Sequence, residues 1–180
     1  MSGAEPSPAT EVDVNNQPGG SSLVPDPGRS RKVRTVAAID VGTNSTHMLV
    51  ASIDVALSTF SIELAEKSST RLGERDPDTG ELTPEAMARG LESLRHFREL
   101  AVSHQVEQIV VAATSAVREA PNGRDFLQNI KDELDLEVDL VSGPEEARLI
   151  YLGVLSGMPF GDRPHLVLDI GGGSTELILA

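Results

Sequence analysis

Two aspartates, Asp40 and Asp169, each lie at the end of an apolar run and stand two positions before a glycine. Residues 39–51 read IDVGTNSTHMLVA and residues 168–180 read LDIGGGSTELILA; aligned without a gap, they share Asp, Gly, Ser, Thr and Ala. Such a turn presents backbone N–H groups in a small concavity, which suits phosphate oxygens. Gly42, Thr43, Asn44 and Ser45 in the first copy, and Gly171, Gly172, Gly173, Ser174 and Thr175 in the second, are therefore candidate phosphate contacts. Three consecutive glycines are a costly way to make a turn that two residues could make. Close approach of a ligand to the backbone accounts for that cost. The aspartate beside each turn reads either as an Asx-type cap or as a carboxylate that orients a metal or its bound water. Two such turns in one chain imply a phosphate chain gripped from both sides of a cleft.

The elements that must hold these turns can be read from pattern. Val36–Asp40, His47–Asp54 and Thr59–Ala65 are apolar or alternating runs around the first turn and predict an antiparallel meander. Thr83-Pro84-Glu85 opens a helix with an N-cap, a first-turn proline and an acid, and Met87, Leu91, Leu94 and Ala101 form its apolar stripe. Beyond it, Gln108–Ala113 reads as a buried strand, Arg124–Leu134 as a helix, Leu136–Val141 as a strand and Pro144–Leu155 as a third helix. His165–Ile170 leads into the second turn. A meander followed by helix–strand alternation predicts an α/β layer with a mixed sheet. Residues 1–32 are rich in Ser, Pro, Gly, Asn and Gln, which predicts a disordered tail whose deletion leaves thermal stability unchanged.

At the start of the third helix, Ser142 is the expected N-cap and places Glu145 at the third helical position, completing a capping box. That leaves Glu146 without a structural role. Arg118, after a small-residue turn, is the type of side chain that pairs bidentately with phosphate; read plainly it is a solvated surface charge, as is Arg148.

Composition limits the classes available. The formal net charge is −13, and residues 1–35 hold four acids and four bases, so the excess lies in the folded part. A basic face for nucleic acid is not expected. With no Cys and no run of 18 apolar residues, neither a disulfide framework nor a membrane span is expected, and the location expected is cytoplasmic. An anionic substrate in so acidic a domain needs local Arg, backbone N–H groups and a divalent metal.

The order of elements resembles the ribonuclease-H-like half-domain of the actin, hexokinase and Hsp70 superfamily, in which two halves face a cleft. The two Gly turns, Ala113-Thr114-Ser115-Ala116-Val117-Arg118-Glu119-Ala120 and Ser142-Gly143-Pro144-Glu145-Glu146-Ala147-Arg148-Leu149-Ile150 stand in the order and spacing of the exopolyphosphatase/guanosine pentaphosphate phosphatase (Ppx/GppA) family. The resemblance runs from about Val33 to Ala180, with Thr43 and Thr46 as mild departures. It implies a first domain over 33–146 and the start of a second over 147–180, unfinished at Ala180, with turnover expected only once that domain is complete. It implies hydrolysis of the terminal phosphate of polyphosphate or guanosine pentaphosphate, with Mg²⁺ as cofactor and a homodimer at full length. Glu146 is then the general base, Arg118 a phosphate contact, and Asp169, with Asp40 and Glu176, the carboxylate set near Mg²⁺. Glu176 replaces His47 of the first copy, and its plain reading is an edge charge; His47 reads as a satisfied structural histidine. Asp40-Val41-Gly42-Thr43 alone also resembles ATP-dependent sugar kinases, but the 129-position spacing of the two aspartates is short for them. A truncated, inactive copy is the remaining alternative.

Overall fold

In the computed structural model the described residues are 33–158, 160–161 and 163–180, and they fall within one compact unit. The polar tail expected over residues 1–32 lies outside them. The elements are β1 (Val33–Val41), β2 (Thr46–Asp54), β3 (Thr59–Ser68), α1 (Pro84–Ser103), β4 (Gln108–Ala113), α2 (Ser115–Arg118), α3 (Gly123–Leu134), β5 (Val138–Leu140), α4 (Gly143–Gly157), β6 (Leu166–Ile170) and β7 (Thr175–Leu179). The expected strands and helices are all present. The strand expected over Leu136–Val141 is shorter, because only Val138–Leu140 pair with β4, while Leu136 serves the core as a buried residue before the strand. The four-residue α2 was not foreseen; it is too short to show a helical period.

Five strands form one mixed sheet in the order β3-β2-β1-β4-β5. β1, β2 and β3 are antiparallel neighbours, whereas β4 and β5 run parallel to β1. A tight hairpin can join only antiparallel strands, and a parallel neighbour needs a crossover, here supplied by α1 and then α3. The register follows the alternation of apolar residues: Ala37, Ile39 and Val41 of β1 and Met48 and Val50 of β2 are buried. The residues between them, Asp40 and His47 included, face the other way.

α1 and α3 close the buried face. Thr83 caps α1 by accepting from the Ala86 N–H at 3.2 Å, with Pro84 in the first turn. Leu94, Phe97 and Ala101 of α1 and Phe126 and Ile130 of α3 are buried together. Burial of each large side chain is worth about 1.5–3 kcal/mol. Gly90 admits α3: a Cβ there would stand 2.8 Å from the Phe126 ring. Gly123, at the start of α3, is packed still more closely, and a Cβ would overlap the Val117 carbonyl oxygen. Gly123→Ala is therefore expected to lower stability by about 2–4 kcal/mol, because the obstacle is backbone. A chemical-denaturation curve indistinguishable from the parent's would refute that packing.

α4 leaves this layer and leads to a separate antiparallel pair, β6–β7. α4 buries none of its residues, and Leu149 and Leu152 on it, like Leu166, Leu168, Ile170, Leu177 and Leu179 on the hairpin, are exposed. No helix among the described residues is long and apolar enough to cross a membrane.

Candidate active site

The two Asp-Gly turns are built alike and face each other. In the first, Val41 pairs with Thr46 and Asp40 with His47, and the Gly42 N–H donates to the Ser45 carbonyl at 3.2 Å. In the second, Ile170 pairs with Thr175 and Asp169 with Glu176, and the Gly171 N–H donates to the Ser174 carbonyl at 3.0 Å. A Cβ on Gly172 would collide with the Asn44 amide, and one on Gly173 would lie 2.6 Å from Thr43 Oγ1 and 2.9 Å from Ser115 Oγ. The glycines of the second turn thus serve first to admit the side chains of the first turn. A close approach was foreseen at these glycines, but the group approaching in this structure is protein.

Between the turns opens a cleft of about 440 Å³, lined by Asp40, Gly42, Thr43, Asn44, Ser45, His47, Lys67, Thr114, Ser115, Glu146, Asp169, Ile170, Gly171, Gly172, Gly173, Ser174 and Glu176. Of the residues singled out in the sequence, Thr175 and Arg118 are not on its lining. Thr175 is in strand pairing with Ile170. Arg118, at the end of α2, stands behind Glu146: its Nη1 donates to Glu146 Oε2 and to the Val141 carbonyl, each at 2.9 Å. One Glu146 oxygen is thereby held, and Oε1 is left for a partner in the cleft.

The start of α4 was read as a capping box, and half of one is present. The Ser142 hydroxyl accepts from the Glu145 N–H at 3.3 Å. The Glu145 carboxylate, instead of turning back to the cap, is held by Arg148 through two bonds of 2.8 Å. A guanidinium three residues on offers two bonds with both partners charged, where the cap N–H offers one bond from an uncharged donor. This pairing holds the Glu145 carboxyl below the ordinary range. Glu145 is absent from the cleft lining and Glu146 is on it.

Asp40 lies on the cleft with its pKa displaced from the ordinary value. It is raised, chiefly by loss of solvation among the surrounding groups; His47 works against this, and the nearby Glu146 and Asp169 carboxylates add to it. Solvent still reaches the side chain, so the effect is screened. A carboxylate whose folded pKa is raised takes up its proton more readily when folded, so its ionisation weakens the fold as pH rises through the interval above 3.8. Asp40→Asn is expected to raise the melting temperature at pH 7 by about 1–3 °C, with the gain vanishing as pH falls to the ordinary carboxylate value. Melting curves across pH check the sign; a gain that grows on acidification would be inconsistent with this electrostatics.

Two parts of the site escaped sequence reasoning. The first is the strap over residues 70–75. Its Arg71 and Gly73 N–H groups donate to the Asn44 and Thr43 carbonyls at 3.0 and 2.8 Å, and buried Thr70 meets Thr46 at 3.2 Å, hydroxyl to hydroxyl. Arg75 ties the strap to the Gly80 and Ala116 carbonyls, and Arg89 ties it to Thr70. Buried Leu72 inside the run RLGER was the available signal. The second is a set of polar cleft residues: Lys67, Thr114 and Ser115, the last bonded to Thr43 at 3.2 Å, oxygen to oxygen. His47, read as structural, bonds Ser45 Oγ through Nε2 at 2.8 Å and also lines the cleft.

The arrangement is one of backbone donors and hydroxyls on two facing turns, several carboxylates and one carboxylate held by an arginine. Known proteins resemble this chain in sequence and fold. Residues 49–180 match the model of the Ppx/GppA phosphatase family. Exopolyphosphatase 2 of Mycobacterium tuberculosis is 34% identical over 151 residues, covering 80% of this chain and 47% of that protein. A crystal structure of an exopolyphosphatase from Cytophaga hutchinsonii is similar with a TM-score of 0.76 at 36% identity, covering 81% of this chain and 46% of that one. The Ppx/GppA family member of Aquifex aeolicus matches with a TM-score of 0.73 at 31% identity, over 82% of this chain and 47% of its own. The chain spans about half the length of these relatives, and the fold they share with it is the actin- and hexokinase-like one. With a family match over most of its length and the same fold, the chain belongs to the Ppx/GppA phosphatase family.

Proposed function

We propose that the chain carries the phosphate-gripping turns and general base of a Mg²⁺-dependent phosphohydrolase that removes the terminal phosphate of polyphosphate or guanosine pentaphosphate. The observation that carries this reading is Glu146: a carboxylate on the lining between two facing phosphate-type turns, with one oxygen fixed by Arg118. The backbone N–H groups and hydroxyls of the turns hold the terminal phosphate. Glu146 takes a proton from a water as that water's oxygen bonds to the terminal phosphorus; the bridging P–O bond breaks, and the shortened chain leaves with its electron pair. Asp40, Asp169 and Glu176 are hard oxygen donors on the same lining. The mutual repulsion felt by Asp40 from Glu146 and Asp169 is the charge imbalance that a divalent cation relieves. Among the described residues no three His, Cys, Asp or Glu side chains stand close enough to cage an ion. Mg²⁺ is commonly held by one or two carboxylates together with substrate phosphates. Bound there, it would neutralise phosphate oxygens.

The test is orthophosphate release from long-chain polyphosphate and from guanosine pentaphosphate, each with Mg²⁺ and with a chelator. The reading expects Mg²⁺-dependent release from at least one substrate by a form of the protein with turnover, and tight retention of the substrate by the Glu146→Gln form. If neither substrate is bound or cleaved, the assignment fails.

A further inference from the structure

The cleft is lined by four carboxylates, Asp40, Glu146, Asp169 and Glu176, and among the described residues by a single Lys or Arg side chain, Lys67. Its place is set by register. Asp40 pairs with His47 across β1 and β2, and His47 pairs with Lys67 across β2 and β3. Directly opposed residues share a face, so the three form one row running from acid through imidazole to ammonium. Neighbouring strands stand about 4.8 Å apart, which places the Lys67 backbone roughly 10 Å from that of Asp40. The second hairpin has no counterpart to this gradient: Asp169 is paired with Glu176, so both its members are acidic.

Lys67 also has no structural employment. It is exposed, and no ion pair holds it among the described residues, whereas Arg118 behind the lining is engaged by Glu146, and Arg75 of the strap and Arg89 of α1 by carbonyls. A free ammonium on a flexible stem beside a phosphate-type turn, in an otherwise acidic wall, is suited to meet an anion as a point charge. It stands on the strand next to the hairpin that carries the turn and two strands from Asp40, so the anion it meets lies beyond the phosphate seated at the Asp40 end.

We infer that Lys67 is a specificity-determining residue that binds an inner phosphate of the chain and so selects oligophosphates over orthophosphate. This rests on the phosphohydrolase reading above. The acid-to-ammonium row gives the substrate a direction: the terminal phosphate lies at the Asp40 end and the rest of the polyanion passes over His47 towards Lys67.

Calorimetric titration of the 180-residue chain with inorganic tripolyphosphate and with orthophosphate, in Mg²⁺ buffer, tests this. Lys67→Met is expected to weaken tripolyphosphate binding about ten- to hundredfold, the usual worth of a hydrogen bond to a charged group. It should leave orthophosphate binding and the melting temperature where they are, and Lys67→Arg should restore most of the tripolyphosphate affinity. Equal weakening of both anions, or undiminished tripolyphosphate binding by Lys67→Met, overturns the inference and leaves the phosphohydrolase reading standing. No binding of tripolyphosphate by the unsubstituted chain at millimolar concentration overturns both.

Discussion

Glu146→Gln is expected to lower orthophosphate release by roughly 10²–10⁴-fold, the range that a positioned general base supplies. Shape is kept, and the amide oxygen still accepts from Arg118, so folding should survive. Two electrostatic changes oppose each other: Arg118 loses the charge of its partner at 2.9 Å, and Asp40 loses one of the carboxylates that raise its pKa. A measurable by-product is that the Asp40 pKa moves back towards the ordinary value of 3.8. The neighbouring Glu145→Gln should behave differently. It breaks an exposed pair with Arg148, which contributes little, so the unfolding midpoint and the turnover should both stay close to the parent's. Steady-state rates and denaturation curves for the two variants side by side decide the matter. Abolished turnover in Glu145→Gln with full activity in Glu146→Gln would reverse the roles assigned here.

Gly173→Ala should have an effect nearly as large by a different route. The added methyl meets Thr43 Oγ1 at 2.6 Å and Ser115 Oγ at 2.9 Å, and neither obstacle is the loose end of a long side chain. Thr43 is fixed by the Gly73 N–H at its carbonyl and by Ser115 at its hydroxyl, so the second turn must give way. The strands behind it, β6 and β7, are exposed and yield more readily than the five-stranded sheet. If the turn holds phosphate as proposed, displacing it by about 1 Å costs on the order of 10²-fold in rate. Stability should barely change, because the hairpin contributes no buried side chain to the core. The measurement is turnover with tripolyphosphate affinity alongside a melting curve. Parent-like binding would show that the two turns do not act together.

The two predictions draw on different kinds of information. The paired turns and the N-caps at Thr83 and Ser142 were legible in the sequence because each is local. An N-cap bonds a residue three positions on, and a hairpin turn is closed by residues on either side of it. The mixed sheet was legible for a related reason, since short connections force antiparallel neighbours and long crossovers permit parallel ones.

What the tertiary structure decided is who meets whom across distance. Arg118 and Glu146 lie 28 positions apart and Thr43 and Ser115 72 apart, and no local pattern announces either contact. Alternation of apolar residues tells which side chains share a face, but the partner on that face depends on register. Lys67 lies past the strand expected over Thr59–Ala65, and only its pairing with His47 brings it to the cleft. The capping box failed for a complementary reason: two acceptable partners competed for Glu145, and only the folded geometry showed that the bidentate guanidinium of Arg148 wins over a single backbone N–H. The sequence alone therefore determined the candidates, namely two Gly turns of the kind that suits phosphate and a glutamate beside the helix cap. Packing determined their arrangement, because the glycines that mark the second turn make room for the first, and that fit exists only once the two hairpins face each other.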